Sequence, residues 1–346
     1  MNIQLNNVNR PLVTVIVPIY KVEKYIGYCA ESLFAQTYSE IEYIFVNDCT
    51  PDKSVDIVRA VLEKYPERKA QVRFINNAVN QGLAYCRNVG VSHARGEYLM
   101  HVDSDDYVAK DAVENLLETA LRENADIVVS NFFLVTQTGI KNDILTYPDD
   151  KDIYLGKILK RDLPVCVCGK FFKRKLYTQH EIEVPVGVDF GEDMVTLPRL
   201  VYYANKIALS SPFYYYNQLN IHSYTKHVGE KSILSVIRTE QVLREFFRDK
   251  FEKDTLENLL DVYRQKMRAE LLFNTSPNLR NKYRNLFFTQ EINFSLFPYR
   301  QRILMWLMQR KSWILAEGYM RAYALAKYVK RFCSKYCNGK QSKNGY

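Results

Sequence analysis

The stretch GEYLMHVDSDDYV, Gly96 to Val108, joins a short apolar run to a crowd of acids. Tyr98 to Met100, with Val102, reads as a buried strand, and three carboxylates, Asp103, Asp105 and Asp106, follow directly. Like charges this close repel one another and resist leaving water, so such a cluster is either solvated or neutralised by a cation. A helix is predicted from about Asp111. The acids then lie at the carboxyl end of a strand, where open α/β sheets bind ligands. Two readings stand at this point. One is an acidic turn in solvent. The other is a divalent ion held by Asp103 and Asp105, with anionic ligand oxygens completing its shell.

Upstream, VTVIV (Val13 to Val17) is β-branched and continuous, as a strand covered on both faces should be, and Pro18 is expected to end its ladder. A helix follows with Ile26, Leu33 and Phe34 on its apolar face. YIFVN (Tyr43 to Asn47) predicts a second strand. Asp48 stands at its end, and Asp52 or Ser54 is placed to cap the next helix. VRFINN predicts a third strand, and Gly82 opens a helix that carries Arg87 about a turn and a half inside it. An arginine there can meet a phosphate or pair with an aspartate. After the acids, DAVENLLETALRENA is an amphipathic helix and DIVVSNFFLV a strand from about Ile127. This alternation predicts an open parallel sheet. No glycine-rich phosphate loop follows the first strand, so a bound nucleotide would be held by side chains and a metal ion.

Composition narrows the function classes. The chain has 346 residues, a formal charge of +9 and seven scattered cysteines. That length suits one sizeable core with a smaller second unit. An odd, dispersed cysteine set without zinc-site spacing predicts reduced thiols. With neither a basic leader nor an apolar run near 20 residues, the chain is expected in the cytoplasm, in solution or at the inner face of the cytoplasmic membrane. The positive charge asks for an anionic partner, and the sheet half has no basic and aromatic repeat to favour nucleic acid.

Beyond about Gly139 the pattern weakens into a polar excursion. In VCVCGKFFKRKLY, Phe171 and Phe172 read as packing and Lys170 as the cation aimed at a cleft. VDFGEDM then places Glu192 and Asp193 in the first turn of a helix, a position acids favour for reasons unrelated to chemistry. From about Gly229 the periodicity becomes helical, so the expected division is residues 1–228 and a helical region 229–346. The tail from Arg321 has seven basic residues and no acidic one, and Trp306, Trp313 and several tyrosines lie near it. This suits either an anionic membrane interface or a basic solvent face.

Six segments in order, VTVIVPIYKVEKYI, SLFAQTY, IEYIFVNDCTPDKS, NQGLAYCRNVG, ARGEYLMHVDSDD and FGEDM, resemble the family 2 glycosyltransferases. The resemblance covers about Val13 to Lys226 and implies a GT-A fold of α/β class followed by a mainly helical region. It also implies inverting transfer from a nucleotide sugar, typically UDP-linked, to a hydroxyl of a saccharide or lipid-linked saccharide, as in bacterial surface-polysaccharide synthesis. Residue by residue, Pro18 and Tyr20 would line the nucleotide pocket and Asp48 would accept a bond from the base. Arg87 would lie near the pyrophosphate or hold the acidic loop. Asp103 and Asp105, with Ser104 between them, would form the DxD station for Mn2+ or Mg2+, and Asp106 would shape the sugar pocket. Asp193, beside Glu192, would take the acceptor's proton.

Departures from the family pattern are modest. Asn47 and Cys49 stand where an aspartate and a glycine are common, and Cys86 where an alanine is. NIHSYTK is similar to a segment that folds over the donor, with His222 kept outside the catalytic set. A sugar nucleotidyltransferase and a non-catalytic nucleotide or saccharide binder remain the competing readings, and a homo-oligomer through the tail competes with membrane contact.

Overall fold

The computed structural model describes residues 11–143, 145–220, 228–287 and 291–338. In chain order its elements begin β1 (Val13–Ile19), α1 (Ile26–Phe34), β2 (Ile41–Asn47), α2 (Ser54–Leu62), β3 (Val72–Asn76), α3 (Leu83–His93) and β4 (Tyr98–His101). There follow β5 (Tyr107–Val108), α4 (Ala112–Arg122), β6 (Ile127–Thr136), β7 (Gly139–Asp143), α5 (Lys151–Leu159), β8 (Lys170–Lys173), α6 (Lys175–Thr178), α7 (Glu192–Tyr203) and β9 (Ile207–Asn217). The rest is helical: α8 (Glu230–Phe247), α9 (Lys253–Asn274), α10 (Pro277–Lys282), α11 (Arg284–Phe287), α12 (Tyr299–Gln309) and α13 (Trp313–Asn338).

The strands form one sheet in the order β3-β2-β1-β4-β8-β6-β9-β5, with β7 paired to β6. Its first four strands are parallel, as alternation of strand and helix predicts. The sheet then becomes mixed, because β8 runs antiparallel between β4 and β6. Since β1, β2 and β4 point the same way, their carboxyl ends share one edge, and Tyr20, Asp48 and Asp103 all follow a strand there.

Pro18 does not end β1, as had been expected. Pairing with β4 stops at Ile16 opposite His101, and pairing with β2 continues through Pro18 opposite Val46 to Ile19. Ile16 O accepts from Val102 N, so residues of the same parity face β4. The missing N–H of Pro18 thus falls on the side where the ladder has already closed.

Helix α3 lies close on β1. A Cβ on Gly90 would come within 2.3 Å of Ile16 Cγ2, so glycine sets the helix-to-strand distance. Ala84, Cys86 and Arg87 are buried on the same helix.

By contacts the chain divides into two compact units. The first includes the sheet and Leu234–Leu260, so most of α8 and the start of α9 belong with it. The second takes the start of α8 and the described chain from Asp261. Among the described residues no helix is long and apolar enough to cross a membrane.

Candidate active site

The carboxyl edge of the sheet brings two acidic stations together around one arginine. Arg87 is buried, and its Nη2 donates to Asp103 Oδ1 at 2.9 Å. Its Nη1 donates to Glu192 Oε1 at 2.6 Å and to Asp193 Oδ1 at 2.9 Å. Cys168 Sγ lies 3.5 Å from Nη2. One planar fork therefore spans residues some ninety positions apart in sequence, a task for which arginine's geometry is suited and lysine's is not.

Local structure explains how each partner arrives. Asp103 leaves the end of β4, and its N–H donates to the Tyr214 hydroxyl of β9 at 3.0 Å. Burial then alternates: Asp103 and Asp105 are half-buried, while Ser104 and Asp106 are buried. Asp105 Oδ2 receives the Asn220 amide at 2.8 Å, and Asp106 Oδ1 receives Asn217 N–H at 2.7 Å, so the end of β9 fastens the acidic turn. Glu192 and Asp193 begin α7. Gly191 before them has φ +96°, a left-handed conformation natural to glycine, and the Thr239 hydroxyl of α8 would stand 3.2 Å from a Cβ there. Ser235, also on α8, accepts from Phe190 N–H and donates to Phe190 O, both at 2.9 Å.

Charge in this pocket is unevenly held. Burial pushes the Glu192 carboxyl up to about 7, with the Asp193 charge adding to the effect and Arg87 opposing it. Burial raises Asp193 as well, against the pull of Arg87. Burial also lifts Asp106 far above the usual carboxylate range, helped by the charges of Asp103 and Asp105. Arg87 itself is desolvated, but Asp193 and Asp103 hold it firmly protonated. Behind it His101, bonded through Nε2 to the Tyr177 hydroxyl at 3.1 Å, is pushed down to about 3 by burial and by Arg87 and is therefore neutral.

Asp48 sits apart from this cluster, at the end of β2. Its Oδ1 accepts from Asn77 Nδ2 and Gln81 N–H, and its Oδ2 from Asn80 Nδ2 and Gly82 N–H, all between 2.7 and 2.8 Å. Pro18 is buried within β1, and Tyr20 is exposed just beyond it, with Lys21 Nζ 5.1 Å from its ring. Asp52 accepts from Ser54 but does not form the helix cap expected of it, because Lys53 occupies that position. Lys170 is fully buried, its Nζ 3.5 Å from Cys166 Sγ and 5.7 Å from the Phe132 ring centroid. His222 falls outside the described residues.

Residues 14–179 match the family model "Glycosyl transferase family 2". Those residues belong to that family. This transferase is 28% identical over 282 residues to a putative glycosyltransferase, EpsH, of Bacillus subtilis, covering 79% of the chain and 78% of that relative. It is 46% identical over 123 residues to EpsJ, an uncharacterized glycosyltransferase of the same organism, and covers 34% of it. Among solved structures, residues 1–349 of S. aureus TarS superpose with a TM-score of 0.65 at 20% identity, over 91% of this chain and 92% of that one. The same TarS piece in complex with UDP-GlcNAc gives 0.64 at 19% identity. At such identity the likeness speaks for the GT-A fold. Family membership sets aside the nucleotidyltransferase and the non-catalytic binder.

The donor set at the acidic turn suits a hard divalent cation. Asp103 and Asp105 offer only carboxylate oxygens and remain partly open to solvent. Among the described residues no three His, Cys, Asp or Glu side chains converge on one point. Two carboxylates with the remaining positions left to water and substrate phosphate is the usual Mg2+ arrangement at nucleotides. The asparagines at positions 77, 80, 217 and 220, which fix the aspartates, escaped the sequence reading. Their signal was the polar runs NNAVNQG and NQLN flanking strand ends.

Proposed function

We propose that this transferase moves a sugar from a UDP-linked donor to a saccharide hydroxyl, with inversion, using Asp193 as general base and Asp103 and Asp105 as the holders of Mg2+ or Mn2+. The Arg87 fork carries this reading, because Asp103 and the Glu192–Asp193 pair all lie within reach of one guanidinium.

Asp193 would accept the acceptor proton as the acceptor oxygen bonds to the anomeric carbon and the bond from that carbon to the nucleoside diphosphate breaks. Its raised proton affinity makes it a stronger base than an exposed aspartate. Glu192, nearest in charge, would keep its proton near neutrality and so leave Arg87 available to Asp193 and Asp103. A cation at Asp103 and Asp105, when bound, supplies charge neutralisation for the departing diphosphate. Asp48 meets a nucleobase by giving up an amide of Asn77 or Asn80 while its two backbone donors stay. The UDP-GlcNAc complex of TarS, a protein of like fold, supports uridine as the nucleoside. The acceptor we favour is lipid-linked.

A panel of UDP, GDP and dTDP sugars, assayed for nucleotide release with Mn2+ or Mg2+, tests this. UDP release from one donor, abolished by EDTA and reduced in Asp105→Asn, is expected. Release that is indifferent to EDTA would overturn the metal assignment.

A further inference from the structure

The second unit carries an exposed stripe that its own core does not use. On α12, Leu304, Met305, Leu307 and Met308 are buried, whereas Tyr299, Ile303 and Trp306 stand exposed at positions i, i+4 and i+7 of one helical face, Tyr299 at 74%. Arg302 and Arg310 are exposed beside them, and the Arg310 guanidinium lies 5.3 Å from the Trp306 ring centroid. Two residues into the next helix, α13, Ile314 is 86% exposed and Leu315 exposes most of its surface.

Charge selects the occupant. Residues 299–346 hold 11 of the 48 Lys and Arg and one of the 39 Asp and Glu, a balance of +10, so the other 298 residues sum to −1. The net positive charge of the chain therefore resides entirely here. The single acid, Glu317, is already consumed by Arg280, which donates to both its oxygens at 2.6 and 2.9 Å. A second copy would bring a segment of the same +10 balance, and aliphatic Ile303, Ile314 and Leu315 do nothing for stacked bases. Aromatic, aliphatic and arginine side chains on one face are the equipment of a helix lying in the plane of an anionic lipid surface.

We infer that the exposed face of α12, with the start of α13, docks on an anionic bilayer. The contact deepens the transferase reading by saying where a lipid-linked acceptor is met, and it rests on that reading only for its purpose.

Co-sedimentation of the full chain with phosphatidylglycerol vesicles and with phosphatidylcholine vesicles tests it, alongside Ile303→Ser/Trp306→Ser and Arg302→Glu/Arg310→Glu. Binding confined to phosphatidylglycerol, and weakened as salt rises from about 0.1 M to about 0.5 M, is expected. The apolar double variant should bind at least about tenfold more weakly. The arginine variant should lose roughly fivefold or more per charge. Equal binding to both lipids, unchanged binding by both variants, or a dimer seen by light scattering that the variants dissolve without any vesicle binding would each overturn the proposal. Metal-dependent UDP release, measured in the same proteins without lipid, reports the transferase reading separately, and both variants should retain it.

Discussion

Arg87 faces three carboxylates with a single positive charge, so one retained proton at neutral pH halves the excess negative charge of the pocket. Glu192 is the group that keeps it. In the fold it releases that proton at about 7, whereas its ordinary value is 4.5. The fold thus binds more protons than the unfolded chain within that window, and this residue's contribution to stability falls as pH rises through it. Glu192→Gln should flatten that slope in urea unfolding measured from pH 5 to pH 8 on the order of unit steps. Below that window Glu192 is already neutral, so the acid limb of the transfer rate, which Asp193 would govern as base, should stay in place in the same variant. Asp193→Asn should keep donor binding, read by calorimetry with UDP, and lose transfer by about 10^3-fold. Equal transfer rates would end its assignment as base. Arg87→Met should cost about 3–5 kcal/mol at pH 8, because it strands buried carboxylates, and less at pH 6, where they take up protons. Cys49 presents a different strain: it is exposed, with φ +56°, where the family commonly has glycine. Cys49→Gly should raise stability by up to about 1 kcal/mol, the left-handed penalty outweighing glycine's entropy.

At the scale of elements, close approach decides what can change. Gly90→Ala would drive a methyl into Ile16 of the central strand, and a loss of about 1–3 kcal/mol by thermal or urea unfolding is expected. Strands β1, β2 and β4 were legible in sequence because burial on both faces writes itself as continuous β-branched and apolar runs. The acids were legible because carboxylates at strand ends demand an explanation. Strand β8 was not, since four residues, KFFK, are too few to show a period, and its phenylalanines pack equally well in many settings. The asparagine clamps went unread for another reason: the polar runs that hold them look like any loop, and their worth lies in geometry that forms only when distant segments meet. Pro18 was read too strongly, because a missing N–H matters only on the side where a neighbouring strand still needs it.

For the whole molecule, helical periodicity announced α8 and α9 without saying which neighbours they cover. The structure groups Leu234–Leu260 with the sheet, and Ser235 and Thr239 of α8 stand against the turn that leads into Asp193. This bears on how small a working enzyme can be. The family match ends at residue 179, short of Glu192 and Asp193, and a fragment ending at residue 220 would regain both acids yet lack the helix that pins Phe190. Cut there, the protein should still grip a nucleotide, because Asp48, Asp103 and Asp105 and the asparagines that hold them remain. It should turn over poorly, with Asp193, the proposed base, on an unbraced turn. The minimal catalyst therefore reaches to about residue 260, and a fragment library stepped across residues 180–260 should show donor affinity returning well before rate.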